Sequence, residues 1–355
     1  MSLQLATRPE KDTYEQNPYE VVRRYVPEKT PLYFAGEDSH GNRCYAKDET
    51  NNPTGAYKWR GSAVKLNSLY GGRPFSVVTA SAGNHGQGVA WVAGQMGGSA
   101  NVFVPIGTPQ SKLDGLARLG ANVYEVGSSF DEATQLAKQY AENNDTDFIH
   151  PFDDEQVMTG QGTIADEIFE QFGGSPNVFE HTVVFVPVGG GGLIGGVSER
   201  LKHLTSSLVR IVGVQVAGSD SAARSFATSL GCQVESGDGY SKIYNKQQNF
   251  GRVVQLEASC PNDDVDGTRV KMVGSRCIGN ILEYVDEFIV LDPAEIGQYY
   301  INNPGSVLEP AGALAEVGVS KYGAMVGRGG LNLVSVQTGR NQDPARIEHL
   351  KSLVR

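Results

Sequence analysis

Three stretches of this 355-residue sequence carry residues arranged for chemistry. The first is TGAYKWRGS, residues 54–62, which sets Lys58 between Tyr57 and Trp59 at the mouth of a helix. A lysine so placed either snorkels along apolar neighbours or is kept from full hydration as a nucleophilic amine. The second is TVVFVPVGGGGLIGGV, residues 182–197, where a β-branched run passes straight into Gly189, Gly190, Gly191 and Gly192 and a helix is expected from about Leu193. Consecutive glycines strip away every Cβ, so several N–H groups converge at a helix N-terminus, where a phosphate or another anion can sit. The third is TASAGNHGQGVA, residues 79–90, in which Ser81, Ala82, Gly83, Asn84 and His85 form a turn between a strand and a helix. Its N–H groups and polar side chains suit a carboxylate; His85 is assigned no proton transfer.

The same run, residues 182–197, also contains a formal G-x-G-x-x-G at Gly190, Gly192 and Gly195. A dinucleotide site needs in addition an acidic residue closing the next strand, about 20 positions on. That strand, VRIVGVQV, offers Gln215 instead, and no G-K-[ST] follows the glycines as a P-loop requires. A single compact phosphate ester is the better ligand. An amine, a phosphate cradle and a carboxylate loop together point to pyridoxal phosphate acting on a small amino acid.

The elements that must position these groups alternate along the chain. Strand candidates are FSVVTA (75–80), ANVFVP (100–105), ANVYEV (121–126), TVVFVPV (182–188), VRIVGVQV (209–216), DEFIVL (286–291) and LNLVSVQT (331–338). They are apolar nearly throughout, as strands buried on both faces of a parallel sheet are. TPQSKLDGLARLG reads as a helix with Thr108 as N-cap, Pro109 in its first turn and Gly120 as its stop, and DEATQLAKQYAEN puts Asp131 and Glu132 at the positive end of another. The expected architecture is α/β, with doubly wound open sheets and ligands beyond the carboxyl ends of the strands.

Composition narrows the function classes. A hydrophobic fraction of 39% with 20% charged residues describes an ordinary globular chain, and 355 residues fit one large or two modest domains. Forty acidic against 30 basic residues give a net charge of −10, which disfavours nucleic acid and anionic membrane as partners. Cys44, Cys232, Cys260 and Cys277 show no paired spacing, the six histidines are scattered, and no structural metal is expected. With no signal-like start and no bilayer-length apolar run, a cytoplasmic location is expected.

At this point the chain resembles the threonine/serine dehydratase family of fold-type II pyridoxal-phosphate enzymes. The likeness rests on TGAYKWRGS, ASAGNHGQGVA, NVFVPIGTPQSK, SFDEA, PFDDEQVMTGQGT, VPVGGGGLIGG, VDGTRVKMVG and EPAGALA in family order, from Thr30 to Asn341. The resemblance implies a tryptophan synthase β-like fold: a large cofactor-binding domain from residues 1–74 and 156–355, and a small one, 75–155, inserted between them. It implies that Lys58 holds pyridoxal 5'-phosphate and later takes the Cα proton, with Tyr57 as the aromatic beside it. Asn84 meets the ring hydroxyl, Gly189 to Gly192 with Leu193 hold the phosphate, Gly267 lies against the ring face, and Thr338 meets the pyridine nitrogen. Ser81, Ala82, Gly83, Asn84 and His85 form the substrate-carboxylate loop. The implied reaction turns L-threonine into 2-oxobutanoate and ammonia, with L-serine to pyruvate alongside. Serine racemisation, dehydration of 3-hydroxyaspartate and a catalytically impaired cofactor-binding or regulatory protein are the alternatives. Homodimers or homotetramers are usual in the family.

The sequence departs from that pattern in several places. Ala56 stands where a serine is usual, and Gly339–Arg340 replaces a glycine pair, setting a long cation at the rim. Ala82 occupies the position of the racemases' second serine, which favours elimination, and Gln215 replaces the first acidic ligand of their divalent-cation site. The residues end at ARIEHLKSLVR, so the regulatory domain of feedback-controlled members is not expected here.

Overall fold

The computed structural model describes residues 16–71, 73–231, 242–245 and 253–354. Its strands are β1 (Leu32–Glu37), β2 (Arg43–Asp48), β3 (Ser76–Ala80), β4 (Ser99–Val104), β5 (Ala121–Glu125), β6 (Asp147–Phe148), β7 (Thr182–Pro187), β8 (Arg210–Val216), β9 (Lys242–Asn245), β10 (Glu287–Leu291) and β11 (Asn332–Gln337). They form a seven-stranded sheet in the order β1-β2-β11-β7-β8-β10-β9 and a four-stranded sheet in the order β5-β4-β3-β6. The centre of each is parallel, and β1 and β9 add antiparallel edges.

Both faces of the large sheet are covered, and β7 shows it residue by residue. Val183 and Phe185 pack with Val212, Val214, Ile289 and Leu314, while Val184, Val186 and Val188 pack with Ile194, Val197 and Ile281. Successive side chains of a strand point to opposite faces, so a run with no polar member must be buried on both. The small sheet repeats this: Val77 and Val102 face one core, Val78 and Phe103 the other. The seven strands read from the sequence are all present. Strands β2, β6 and β9 lack a continuous apolar run, and β1, which opens Leu-Tyr-Phe-Ala, lies mostly exposed at the edge of its sheet. One detail differs: Thr108 does not cap the helix Gln110–Arg118, which begins after Pro109, and its hydroxyl donates to the Pro105 carbonyl instead.

The helix Trp59–Tyr70 links the two sheets. Trp59, Ala63, Val64 and Leu66 share a core with Val77 and Val102 of the small sheet and with Val89 of the helix packed on it, and Trp59 meets Trp91 edge-on at 5.7 Å. Its first turn is fixed from the other side by charges. Arg60 Nε and Nη2 donate to the two oxygens of Glu49 at 2.8 and 2.9 Å, and Nη1 donates to Glu167 at 2.9 Å. Lys47 Nζ donates to the second Glu167 oxygen at 2.6 Å and to the Thr30 carbonyl at 2.7 Å. Two cations and two anions, all buried, thus balance inside the protein. Burial by itself would raise the Glu167 carboxyl, but Arg60 and Lys47 outweigh it and hold it at about 2.

Cys44, Cys260 and Cys277 are free thiols, and Cys232 lies outside the described residues. Among the described residues no helix is long and apolar enough to cross a membrane, and no group of His, Cys, Asp or Glu gathers as metal ligands.

Removing one member of a buried charge cluster strands the others, so Arg60→Ala is expected to lower the unfolding free energy by about 3–5 kcal/mol, read from urea unfolding at neutral pH. Glu167 has a depressed folded-state pKa, so its contribution is complete above the ordinary carboxylate value of 4.5 and fades as pH falls toward about 2. The deficit of Arg60→Ala relative to wild type should narrow over that window.

Candidate active site

The turn before Lys58 is zipped to the end of β11. Tyr57 N–H donates to the Thr338 carbonyl at 3.1 Å, Arg340 N–H donates to the Gly55 carbonyl at 2.9 Å, and Ala56 bridges Gly339. Gly55 has a φ of +70°, a left-handed conformation that disfavours a side chain. Lys58 therefore sits above the carboxyl end of a central strand. Its amine is half-buried, donates to the Pro151 carbonyl at 3.1 Å and lies 5.1 Å from the Tyr57 ring centroid. Only one of the two flanking aromatics walls the amine, since Trp59 turns into the core.

The segment His150–Asp154 connects this lysine to the glycine quartet. His150 Nδ1 accepts the N–H groups of Phe152 and Asp153 at 3.3 and 2.9 Å, which folds the segment into a tight hook. Pro151 faces Lys58, and Phe152 packs under the quartet. A Cβ on Gly190 would lie 2.3 Å from the nearest Phe152 ring carbon, and one on Gly192 would lie 2.9 Å from the Phe152 Cβ and carbonyl oxygen. Gly191, at φ +95°, has Cys277 2.8 Å from where its Cβ would be. Gly190 is held further by Gly274 N–H, 2.9 Å from its carbonyl. These glycines are thus required by packing from below as well as by open backbone above. The helix Gly192–Leu204 starts there with Leu193 buried, and no described residue accepts the N–H of Gly192 or Leu193. Unclaimed donors at a helix N-terminus fit an anion.

Gln215, which stands in place of an acidic ligand, is buried and spent within the protein. Its amide donates to the Val188 carbonyl at 3.1 Å and accepts Ala223 N–H at 2.8 Å, so it steadies the strand end that leads into Gly189.

Asn84 opens the helix Asn84–Gln95, and Gly88 of that helix lets it press against the backbone of Lys58 and Trp59. Asn84 Nδ2 donates to Glu309 Oε1 at 2.7 Å, and Asn341 Nδ2 donates to Asn84 Oδ1 at 2.6 Å. Gly267 comes close to the same carboxyl: a Cβ there would lie 3.9 Å from Glu309 Oε1, and 2.7 Å from the Ala311 Cβ. Gly189 packs against Gly267 and Thr268 in turn, its Cβ position 3.3 Å from the Gly267 carbonyl. Thr338 is buried beside Gly339, and its hydroxyl makes no hydrogen bond with a described residue. Lys58, Tyr57, Asn84, the quartet, Gly267 and Thr338 are therefore joined by a closed chain of contacts, although up to 281 positions separate them in sequence.

The carboxylate-loop residues line up differently. Ser81 Oγ accepts Gly83 N–H at 3.2 Å, and a Cβ on Gly83 would meet open space. The His85 ring turns inward, with Nε2 3.1 Å from the Ile149 carbonyl. Burial and the nearby Lys58 push its pKa down to about 3, so the ring is neutral and Nε2 carries the proton. Its Nδ1 is buried and has no hydrogen-bond partner among the described residues.

Glu309, Asn341, His150 and Phe152 are the residues that motif reading left without a role. PFDDEQ and EPAGALA marked two of their neighbourhoods as stretches, but nothing local in either says that its side chains meet Asn84 or Gly190.

Comparison with known proteins settles the family. The model for pyridoxal-phosphate dependent enzymes matches residues 24–332. The chain belongs to this family. It is 36% identical over 314 residues to a biosynthetic L-threonine dehydratase of Burkholderia multivorans, covering 86% of this chain and 56% of that protein. It is 31% identical to the catabolic L-threonine dehydratase of Staphylococcus aureus, covering 91% of this chain and 86% of that one. The processed form of threonine deaminase isoform 2 from Solanum lycopersicum superposes with a TM-score of 0.78 at 28% identity, covering 99% and 97% of the two chains. The resemblance to threonine dehydratases and the fold-type II architecture are both borne out, and with them dependence on pyridoxal phosphate. The chain spans little more than half the length of the Burkholderia relative.

The residues present fit that cofactor. Unclaimed N–H donors suited to an anion and a half-buried primary amine are linked through Pro151 and Phe152, and Thr338 keeps a hydroxyl uncommitted to any described residue.

Gly190→Ala is expected to cost about 1–3 kcal/mol by overpacking against Phe152. A double-mutant cycle with Phe152→Leu should recover about 1 kcal/mol or more of that loss. Additive effects in urea unfolding would mean that Phe152 yields freely to a side chain at residue 190.

Proposed function

We propose that this chain removes the β-hydroxyl and the amino group of L-threonine, releasing 2-oxobutanoate and ammonia, and treats L-serine likewise. The reading rests first on Lys58, whose amine is held by Pro151 one residue from the aromatic ring on which the glycine quartet packs. The dehydratase names of its relatives support the same choice.

Bound at this site, pyridoxal phosphate supplies the electron sink that makes a Cα proton removable and a β-substituent able to leave. The chain's residues do the rest. Lys58 carries the cofactor covalently, and its freed Nζ accepts the Cα proton. Gly189 to Gly192 and Leu193 receive the phosphate on their N–H groups. Asn84 addresses the ring hydroxyl, Gly267 leaves the ring face clear, and Tyr57 packs beside the lysine. Thr338 would meet the pyridine nitrogen with a hydroxyl, which cannot protonate it as a carboxylic acid would. The backbone of Ser81, Ala82, Gly83, Asn84 and His85 takes the substrate carboxylate.

Residues 75–155 are read as a small domain that closes over substrate against the larger one, 1–74 and 156–355, with the helix Trp59–Tyr70 as the shared support. A homodimer or homotetramer in the cytoplasm completes the reading. Dehydration of 3-hydroxyaspartate is the second reading, favoured by Arg340, whose exposed side chain runs over Gly55 at the rim. Racemisation lacks a hydroxyl at Ala82.

Purified protein supplied with the cofactor should release 2-oxo acid from threonine, and Lys58→Ala should lower the rate by about a thousandfold or more. Borohydride should fix the cofactor's mass on the peptide containing Lys58 in wild type only. Racemised serine without 2-oxo acid, or turnover restricted to hydroxyaspartate, would overturn the threonine assignment.

A further inference from the structure

Glu309 holds the N-cap position of the helix Pro310–Val326, yet its side chain accepts no hydrogen bond from that helix. A carboxylate there would ordinarily serve the unpaired N–H groups of the first turn. It turns instead into the site. The residue is 8% exposed, its own N–H donates to the Gly339 carbonyl at 3.0 Å, and no described residue forms an ion pair with it. Room for the carboxyl comes from Gly339, where a Cβ would lie 2.5 Å from Glu309 Oε1; one on Gly267 would make ordinary contact with it at 3.9 Å.

The hydrogen bonds on Asn84 give this placement a purpose. Its Oδ1 receives Asn341 Nδ2, which also donates to the Thr54 carbonyl at 3.0 Å, and its Nδ2 faces Glu309. Turning the amide over would set an oxygen against a carboxylate and an NH2 against a donor. One orientation satisfies both neighbours, and it leaves the second Nδ2 proton for a ligand.

We propose that Glu309 is a positioning residue of this site: it holds the Asn84 amide with a free N–H toward the cofactor, and its charge acts through that amide on the group Asn84 touches. The proposal rests on the reading above that Asn84 addresses the cofactor ring. Around the carboxyl stand Asn84 from one helix, Asp266 beside Gly267, Lys112 from the helix Gln110–Arg118, and Lys58. Burial, opposed by the Asn84 hydrogen bond, raises its pKa to about 7; Asp266 adds to the rise, and Lys112 and Lys58 oppose it. The group therefore changes charge near neutral pH: an ionised acceptor for Asn84 above that value, a neutral acid below it.

The test compares wild type with Glu309→Gln, Glu309→Ala and Asn341→Ala, each loaded with pyridoxal phosphate. It reads the absorption spectrum of the bound cofactor across pH, the cofactor Kd, and kcat and KM separately. Wild type should show a spectral step near pH 7. Glu309→Gln keeps an acceptor for Asn84 and should bind cofactor within about threefold of wild type, but lose the step. Glu309→Ala should lose the step and bind about tenfold more weakly. Asn341→Ala should weaken binding while retaining the step. Spectra of Glu309→Gln that superimpose on wild type at every pH would overturn the proposal, and so would variants that differ only in Tm. A wild type in which the cofactor produces no lysine-linked band would overturn the proposed function and this inference together; a normal band with unaffected variants sinks this inference alone.

Discussion

The position of one amine depends on four charges that never meet water. Arg60 lies two residues after Lys58 and is bound through three nitrogens to Glu49 and Glu167, while Lys47 neutralises the rest of Glu167. A cluster of this kind is a poor source of net stability, because desolvating the ions offsets most of their attraction. What it provides is direction. A guanidinium forked onto one carboxylate and bonded to a second has a single comfortable orientation, and the helix carrying it is held at its first turn.

From that fixed turn the site is assembled by backbone and by the absence of side chains. Residues 55–57 pair with residues 338–340 at the end of β11, which places Lys58 above the sheet. Gly88 lets the Asn84 helix touch the lysine's own backbone, and Gly190 and Gly192 let Phe152 press under the quartet. Close approach of main chain to main chain is short-ranged and intolerant, since one methyl group at these positions meets an atom already there. The same glycines that leave N–H groups open to an anion are thus held in place by the neighbours that need them bare.

The site's electrostatics are divided in a way its residue types do not suggest. Histidine, the usual carrier of protons near neutrality, is silenced at His85 by burial and by a nearby cation, while a carboxyl at Glu309 is lifted into the neutral range. Both shifts come chiefly from burial, which disfavours the charged form of either group.

The strands of the parallel cores, the α/β class, the lysine and the glycine quartet were legible in the sequence. Each depends on neighbours within one turn or strand: alternate burial of β-branched runs, the conformational freedom of glycine, a cap or a stop. The edge strand β1 and the short β6 were not: the first is mostly exposed and owes its place to the antiparallel ladder with β2, and the second is only two residues long. Nor could local order reveal that Phe152 fills the space under Gly190, that Glu309 abandons its helix to meet Asn84, or that Lys47, Glu49, Arg60 and Glu167 share one dry cluster. Those outcomes belong to the tertiary structure alone. A charge or a ring is made functional by what surrounds it, and here the surroundings come from segments more than a hundred residues away.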